Sequence, residues 1–184
     1  MADIPSFFNA NQFLEILLPG YLAVILLLFL FFPHFLPSNQ NAGFGFDFLS
    51  AVIFLVAGPV IGVVLYQVQS IYSYFTAFSS PLIKKSKKDH LRRYYNLRLR
   101  MTDKEKNESE AIEAKYFFSI SSAIVLFGIT ILHLYIKLYN EQEIAWFIDI
   151  PMIIVGIIFV TGGHVLNQQG IQPLYAELYR KYEI

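Results

Sequence analysis

Five acidic or histidine side chains of this 184-residue chain lie within the stretches that we predict to span a membrane. They are Glu15, Asp47, His133, Asp149 and His164. A charge in lipid is costly, so such groups are candidates for proton or ion movement. Together they predict a polar pathway across the membrane. It would lead from Asp47, His133 and Asp149 at the outer side to Glu15 and His164 at the cytoplasmic side. The alternative, which we favour because no charge lies at the centre of a run, places each group at headgroup depth, where polar side chains cost little.

Catalytic and metal-binding motifs are absent from the sequence, which contains no nucleophile elbow, zinc-protease, P-loop or dinucleotide-binding pattern. The lack of cysteine excludes disulfides, thiolate metal sites and a cysteine nucleophile, and the four histidines are scattered. Glu15, His164 and Asn167 are the only candidates for a membrane enzyme, and their spacing matches no known motif. We therefore predict no catalytic residue, no metal, no cofactor and no enzymatic activity.

The composition indicates a membrane protein. Hydrophobic residues make up 55% of the chain and charged residues 15%, and the mean hydropathy is +0.48. Soluble domains carry about 25% charged residues. A soluble fold of this size has no interior large enough for so much apolar surface. These values exclude a soluble globular enzyme, a disordered tail and a disulfide scaffold.

Charge-free runs define the elements that must position the ionisable groups. Such runs extend over Ile16–Phe46, Phe48–Ile83, Tyr116–Ile136 and Ile150–Ala176. Crossing a bilayer takes about 20 apolar residues in a helix, and continuous rather than alternating apolarity favours helices over barrel strands. We predict membrane spans near residues 14–33, 47–68, 116–137 and 147–167. The predicted fold class is therefore all-α: a polytopic membrane protein with four transmembrane helices and helical cytoplasmic extensions.

The distribution of Lys and Arg predicts the orientation. Thirteen of these residues lie between the second and third spans or in the C-terminal tail, and only Lys137 lies on the other side. By the positive-inside rule, the central loop and both termini are expected in the cytoplasm. A bacterial inner membrane is the default location that we adopt.

The chain divides into five predicted segments: an N-terminal cytoplasmic or interfacial segment (1–18), a first transmembrane hairpin (19–78), a basic loop (79–102), a second hairpin (103–168) and a cytoplasmic tail (169–184). Thr102 and Glu105 form a capping-box pattern, which predicts one long helix over 103–137. Pro19 leaves two alternatives open. Either a separate interfacial helix ends at residue 18, or one helix continues through Pro19 with a kink.

Small residues suggest close helix packing. The candidates are Gly58, Gly62, Gly156, Gly162 and Gly163. Each can pack helices within one protomer, which we slightly favour, or between protomers of the homo-oligomer that we expect. Residues 62–67 and 163–168 also share four of six identities, which suggests two similar hairpins; chance or shared helix-end composition would explain the same match.

The central loop carries a basic patch, with ten Lys or Arg against three acids over residues 84–106. Its candidate partner- or lipid-binding residues are Lys84, Lys85, Lys87, Lys88, Arg92, Arg93, Tyr94, Tyr95, Arg98 and Arg100. Anionic lipid headgroups and an acidic soluble protein both fit this patch. Nucleic acid is the least favoured partner, because no nucleic-acid-binding fold accompanies the patch. The remaining alternative is that the charges only fix topology.

In size, span number and basic cytoplasmic loop, the chain resembles the small four-span membrane subunits of bacterial anti-phage defence systems, such as the membrane component of Kiwa. The resemblance involves no motif, and it implies a soluble partner rather than particular residues. We therefore expect a non-enzymatic, homo-oligomeric membrane scaffold or sensor subunit that docks a soluble cytoplasmic protein. The alternative function is an ion-conducting pore or a membrane-permeabilising effector.

Overall fold

Long helices account for nearly all of the described structure. The computed structural model describes residues 10–31, 48–77, 87–144 and 146–184, with side chains described at 10–31, 55–69, 92–144 and 146–184. No strand occurs in these residues. The helices are α1 (Ala10–Phe31), α2 (Phe48–Ala77), α3 (Lys87–Arg100), α4 (Asp103–Tyr139) and α5 (Trp146–Lys181).

Three of these helices are long and apolar enough to cross a membrane, which supports the prediction of an integral membrane protein. They are α1, α4 and α5, with 22, 37 and 36 residues. In α2, the described side chains give a shorter apolar stretch, Leu55–Gln69. The all-helical fold class is therefore confirmed for the described residues.

The predicted capping box begins α4. Thr102 Oγ1 accepts a hydrogen bond from the Glu105 amide at 3.4 Å, and the Glu105 carboxylate accepts one from the Thr102 amide at 2.8 Å. These bonds satisfy amides that have no partner within the first helical turn. From this cap α4 continues without a break to Tyr139, close to the predicted end at residue 137.

A π-helical turn precedes a proline in both α1 and α5. The turns are Phe13–Leu17, followed by Pro19, and Asn167–Ile171, followed by Pro173. A proline lacks the amide hydrogen and crowds the carbonyl four residues earlier, and a wider turn relieves both problems without ending the helix. Of the two alternatives at Pro19, the structure therefore has the continuous helix with a local irregularity.

The helix α4 lies at the centre of the bundle and packs against α1, α2 and α5. Ala23 of α1 and Val125 and Ile129 of α4 form its buried core, surrounded by partly buried leucines of α1 and by Ile61 and Leu65 of α2. By contrast, α5 packs mainly against α4 and leaves most of its circumference exposed.

A second apolar core lies outside the bundle. Leu97 and Met101 at the end of α3 bury themselves against Leu178 near the end of α5. Partly buried aromatic and aliphatic side chains complete this core: Leu174, Tyr175, Tyr179, Tyr182 and Ile184. We call residues 92–115 together with 172–184 the extramembrane unit, since they surround this core and carry most of the described charges.

Candidate functional site

The structure brings together two of the five ionisable groups. His133 on α4 and Asp149 in the first turn of α5 are 16 residues apart, and His133 Nδ1 lies 2.8 Å from Asp149 Oδ1. His133 is 4% exposed and Asp149 is fully buried, with the ring of Phe31 edge-on to the imidazole. The second oxygen of Asp149 has no hydrogen-bond partner among the described residues. This contact links α4 to α5.

The other three groups do not join this pair within the described residues. Asp47 lies outside them. His164 is exposed on α5. Glu15 lies half-buried in the π turn of α1, within electrostatic range of Glu113 in the extramembrane unit. The predicted pathway is therefore represented here by three separate polar sites.

Hydroxyl groups along α4 do not bridge these sites. Thr130 donates its hydrogen bond to the Leu126 carbonyl, and Ser119 donates to the Lys115 carbonyl, both within the same helix. Helix backbones commonly satisfy hydroxyls in this way. A continuous polar path through one protomer is therefore not formed by these hydroxyls.

A buried polar contact that sequence reasoning missed links α2 to α4. Ser121 Oγ donates to Gln69 Oε1 at 2.7 Å, and both side chains are fully buried. The Gln69 amide nitrogen and the Ser122 hydroxyl have no partner among the described residues. An amide within the second charge-free run was the available signal, but its partner is 52 residues away in the chain.

Arg98 and Tyr94, two of the predicted partner-binding residues, are engaged inside the extramembrane unit. Arg98 pairs with Glu110 at 3.0 Å and with Glu113 at 3.5 Å. Burial disfavours its charged form, but Tyr94 and Glu113 outweigh that cost, so the pKa of Arg98 is raised and the guanidinium stays charged. Tyr94 packs on Tyr175, with ring centroids 5.8 Å apart.

The remaining members of the basic patch differ in what they contact. Arg92, Arg93 and Tyr95 are exposed, whereas Arg100 donates to the Tyr182 carbonyl at 3.3 Å. Lys87 and Lys88 begin α3, but their side chains are not described, and Lys84 and Lys85 lie outside the described residues.

Glu105 fixes the end of α5, which the sequence indicated only as a tail. Its carboxylate accepts hydrogen bonds from Lys181 at 2.6 Å and from Tyr182 at 2.8 Å, in addition to those from Thr102. The bond from Lys181, followed by those from Thr102 and Tyr182, lowers the pKa of Glu105 to about 2. The sequence signal was apolar spacing at Leu174 and Leu178, which matches that at Leu97 and Met101.

Four of the five predicted glycines pack inside the protomer. A side chain at Gly62 would meet the Ile16 carbonyl group, and one at Gly58 would meet the Tyr21 ring. Gly156 faces the Phe127 ring, and Gly163 faces Ile120. Only Gly162 has open space around it. Gly20, which the sequence analysis did not single out, lies directly against the backbone of Gly58 and Gly62.

Comparison with known proteins supplies no function. No family model matches the chain, and neither a curated protein nor a solved structure matches it significantly. Within the described residues, no three His, Asp or Glu side chains lie close enough to hold a metal ion. Function is therefore inferred from the residues and geometry described above.

Proposed function

We propose that this chain is a non-enzymatic, homo-oligomeric membrane scaffold or sensor subunit that docks a soluble cytoplasmic protein. The observation that carries the proposal is the extramembrane unit. Helix α3, the start of α4 and the end of α5 surround a separate apolar core, and ion pairs connect their surfaces. A chain that only needed to hold charged loops on one side would not require such a folded unit.

The proposal includes four spans with both termini in the cytoplasm. Support for the fourth span is the helical backbone of α2, whose 30 residues would extend about 45 Å, more than the roughly 30 Å of hydrocarbon. Support for the orientation is the strong excess of Lys and Arg on the side of the extramembrane unit.

The exposed face of α3 is the proposed docking surface. Arg92, Tyr95 and Leu99 follow one another at helical spacing, and Tyr95 and Leu99 are 65% and 82% exposed. Aromatic and Arg side chains of this kind commonly anchor protein interfaces. They lie opposite the face of α3 that Leu97 buries against α5.

Geometry favours a protein over lipid at the Leu99 end of this face. Thr102 precedes the charge-free run at Tyr116 by 14 residues, or about 21 Å of helix. The headgroup layer is only about 5–8 Å deep on each side. Leu99 lies three residues before Thr102, so it would face water unless a protein covers it.

A matched pair of charge reversals tests the docking. Arg92→Glu with Arg93→Glu should abolish co-purification of a stoichiometric soluble protein, as measured by native mass spectrometry after gentle extraction from the host. Lys104→Glu with Lys115→Glu removes the same charge from the same side of the membrane, so it controls for topology and should leave recruitment intact. Equal recruitment in both variants would contradict the proposal. The four lysines Lys84, Lys85, Lys87 and Lys88 are the next set to reverse.

A pore is the alternative function, and the same experiment addresses it. Ala23, Val125 and Ile129 fill the centre of the described bundle, so a conducting path would have to run between protomers. A bare homo-oligomer in native mass spectrometry that also passes ions in liposomes would favour the pore. Because the chain resembles the four-span membrane subunits of bacterial anti-phage defence systems in layout, the soluble partner should first be sought among proteins of such systems.

A further inference from the structure

The helix α3 lies beside the end of α5 and runs in the same direction. Three contacts at successive turns set this register, and they join Tyr94 to Tyr175, Leu97 to Leu178 and Arg100 to Tyr182. Each residue of α3 is therefore level with the residue of α5 that follows it by about 81 positions in the chain. Since α3 begins at Lys87, its first turn is level with Gln168 and Gln169.

Lys115 marks the level at which α4 enters the membrane. The charge-free run of α4 lies between Lys115 and Lys137, which are 22 residues, or about 33 Å of helix, apart. This length matches the roughly 30 Å of hydrocarbon that a span must cross. Lysines at the ends of a span extend toward the headgroups. The headgroup layer on the side of the extramembrane unit therefore begins near Lys115.

The first turn of α3 lies in that headgroup layer. A side chain at Gly163 of α5 would meet Ile120 of α4, and one at Gly170 would meet Ile112. Lys115 is therefore level with the α5 residues about halfway between these two glycines. From there to the level of the first turn of α3 is only about 3 Å, and the headgroup layer is about 5–8 Å deep.

Charge distinguishes this end of α3 from the other. Lys87 and Lys88 begin the helix, and Asp89 is its only acidic residue. Helical spacing places Lys88 in line with Arg92, on the face that continues to Leu99. Leu99 lies 11 residues, or about 17 Å of helix, further from the membrane than Lys88. The face is therefore basic at the level of the headgroups and apolar in the water beyond, so its two ends suit different partners.

We propose that the first turn of α3 binds the phosphate groups of anionic phospholipids in the adjacent leaflet. The negative surface of such a leaflet attracts Lys and Arg beside a span, and each cation strengthens binding roughly fivefold. An acidic protein would also attract these charges, but it would have to displace the headgroups at this level. The contact goes beyond the proposed function, because it needs neither a soluble partner nor a second copy of the chain.

Neutralising the two lysines tests the lipid contact. The full chain with Lys87→Gln and Lys88→Gln is purified in mild detergent and titrated with phosphatidylglycerol or, separately, with phosphatidylcholine. Native mass spectrometry measures the apparent dissociation constant for the first lipid bound. The unmodified chain should prefer phosphatidylglycerol, and the variant should bind that lipid more weakly by roughly fivefold for each lysine removed. Binding of phosphatidylcholine, which has no net charge, should not change.

A matched control removes the same charge from the far end of the extramembrane unit. Lys104→Gln with Lys106→Gln changes two lysines at the start of α4, and Lys104 lies 11 residues, or about 16 Å of helix, from Lys115. This variant should keep the preference for phosphatidylglycerol. An equal loss in both variants would show a general effect of charge and overturn the inference, as would an unchanged preference after Lys87→Gln with Lys88→Gln.

Inorganic phosphate, added as a competitor, separates a lipid headgroup from a soluble ligand. It should not displace phosphatidylglycerol, because the lipid is also held by its acyl chains at the level of the bilayer. Displacement by millimolar phosphate would assign the first turn of α3 to a soluble anion and overturn the lipid contact.

Co-purification of a soluble protein from the same variants separates this inference from the proposed function. Lys87→Gln with Lys88→Gln should weaken phosphatidylglycerol binding and keep the soluble protein, which the proposed function places toward Leu99. Loss of the protein with lipid binding intact would assign the two lysines to the protein interface and overturn the lipid contact. Weakened lipid binding in a chain that recruits no protein, with or without the substitutions, would support the lipid contact and contradict the proposed function.

Discussion

The helices α2 and α5 each pack against the helix that precedes them, but by different means. At the α1–α2 contact, Gly20 allows the two backbones to touch at Gly58 and Gly62. At the α4–α5 contact, side chains fill the space, and the His133–Asp149 pair joins the two helices. Lipid supplies no hydrophobic force between helices, so close backbones and polar links are two separate solutions to one problem.

The short sequence repeat, residues 62–67 and 163–168, lies in these two helix contacts. Gly62 and Gly163, which are equivalent in the repeat, both face the preceding helix, at Ile16 and Ile120 respectively. The equivalent residues Val63 and His164 are both exposed. The repeat thus marks comparable positions in the bundle, while the residues at those positions have diverged in polarity.

Breaking the polar link should have the largest effect and should affect only the α4–α5 contact. His133→Ala leaves the buried Asp149 side chain with no hydrogen-bond partner for either oxygen among the described residues. Loss of one partner of a buried pair costs about 3 kcal/mol in the free energy of unfolding. A double-mutant cycle with Asp149→Ala, followed by denaturation in detergent, measures the coupling. The double variant should be less unstable than the sum of the single variants; strict additivity would show that the link contributes nothing.

Adding a methyl group at Gly62 and at Gly163 should distinguish the backbone packing of α1 and α2 from the side-chain packing of α4 and α5. Gly62→Ala places a carbon against the main chain of Ile16, which cannot move without shifting α1, and overpacking of this kind costs roughly 1–3 kcal/mol. Gly163→Ala meets the flexible end of Ile120 at 2.8 Å, which can rotate away. Thermal unfolding should show a clearly lower midpoint for Gly62→Ala. A lower midpoint for Gly163→Ala than for Gly62→Ala would contradict this difference in packing. Gly162→Ala is the control, because a carbon added at Gly162 meets no neighbouring atom.

The contacts of Glu105 with the C-terminal end of α5 should be sensitive to acid, unlike the neutral contact between Gln69 of α2 and Ser121. Glu105, in the first turn of α4 outside the charge-free run, holds the end of α5 with its pKa lowered to about 2. Its contribution is therefore complete above a pH of about 4.5 and is lost as the pH falls toward 2. Pepsin cleavage near Tyr179 should accelerate over this range. The Glu105→Gln variant should be cleaved rapidly by pepsin at every pH tested. If its cleavage rate instead rises with acid as in the unmodified chain, Glu105 is not the cause.

The neutral contact between Gln69 of α2 and Ser121 of α4 should matter least. Ser121→Ala removes the hydrogen bond to Gln69, and polar contacts of this kind between membrane helices average about 0.6 kcal/mol. Gln69→Leu removes a fully buried amide that already has one unpaired group, so a similarly small change is expected. Unfolding in detergent measures both variants. A loss as large as that of His133→Ala would reverse the order of the two contacts.

Local signals in the sequence were sufficient for much of the fold. The capping box at Thr102 and the uninterrupted helix formers after it predicted the start and extent of α4, because both depend on residues within a few turns. Charge-free runs predicted the apolar segments for the same reason. At Pro19, local rules left two alternatives, since the choice depends on whether a π turn relieves the crowding.

Pairing across the chain was not accessible in the same way. His133 and Asp149 were each recognised as unusual, but their contact depends on how α4 and α5 turn toward each other. Arg98 was grouped with the exposed cations because nothing local shows that Glu110 and Glu113 lie beside it. The docked end of α5 was the avoidable omission, since its leucines repeat the spacing of Leu97 and Met101.

The unbroken course of α5 has a mechanical consequence. Its 36 residues form a rod of roughly 54 Å that begins beside His133 and ends beside Glu105. A tilt of about 5° at the Trp146 end would displace the Lys181 end by about 5 Å, enough to strain the contacts of Lys181 and Tyr182. A change in the tilt of α5 near Trp146 would therefore change the load on the contacts that Lys181 and Tyr182 make with Glu105.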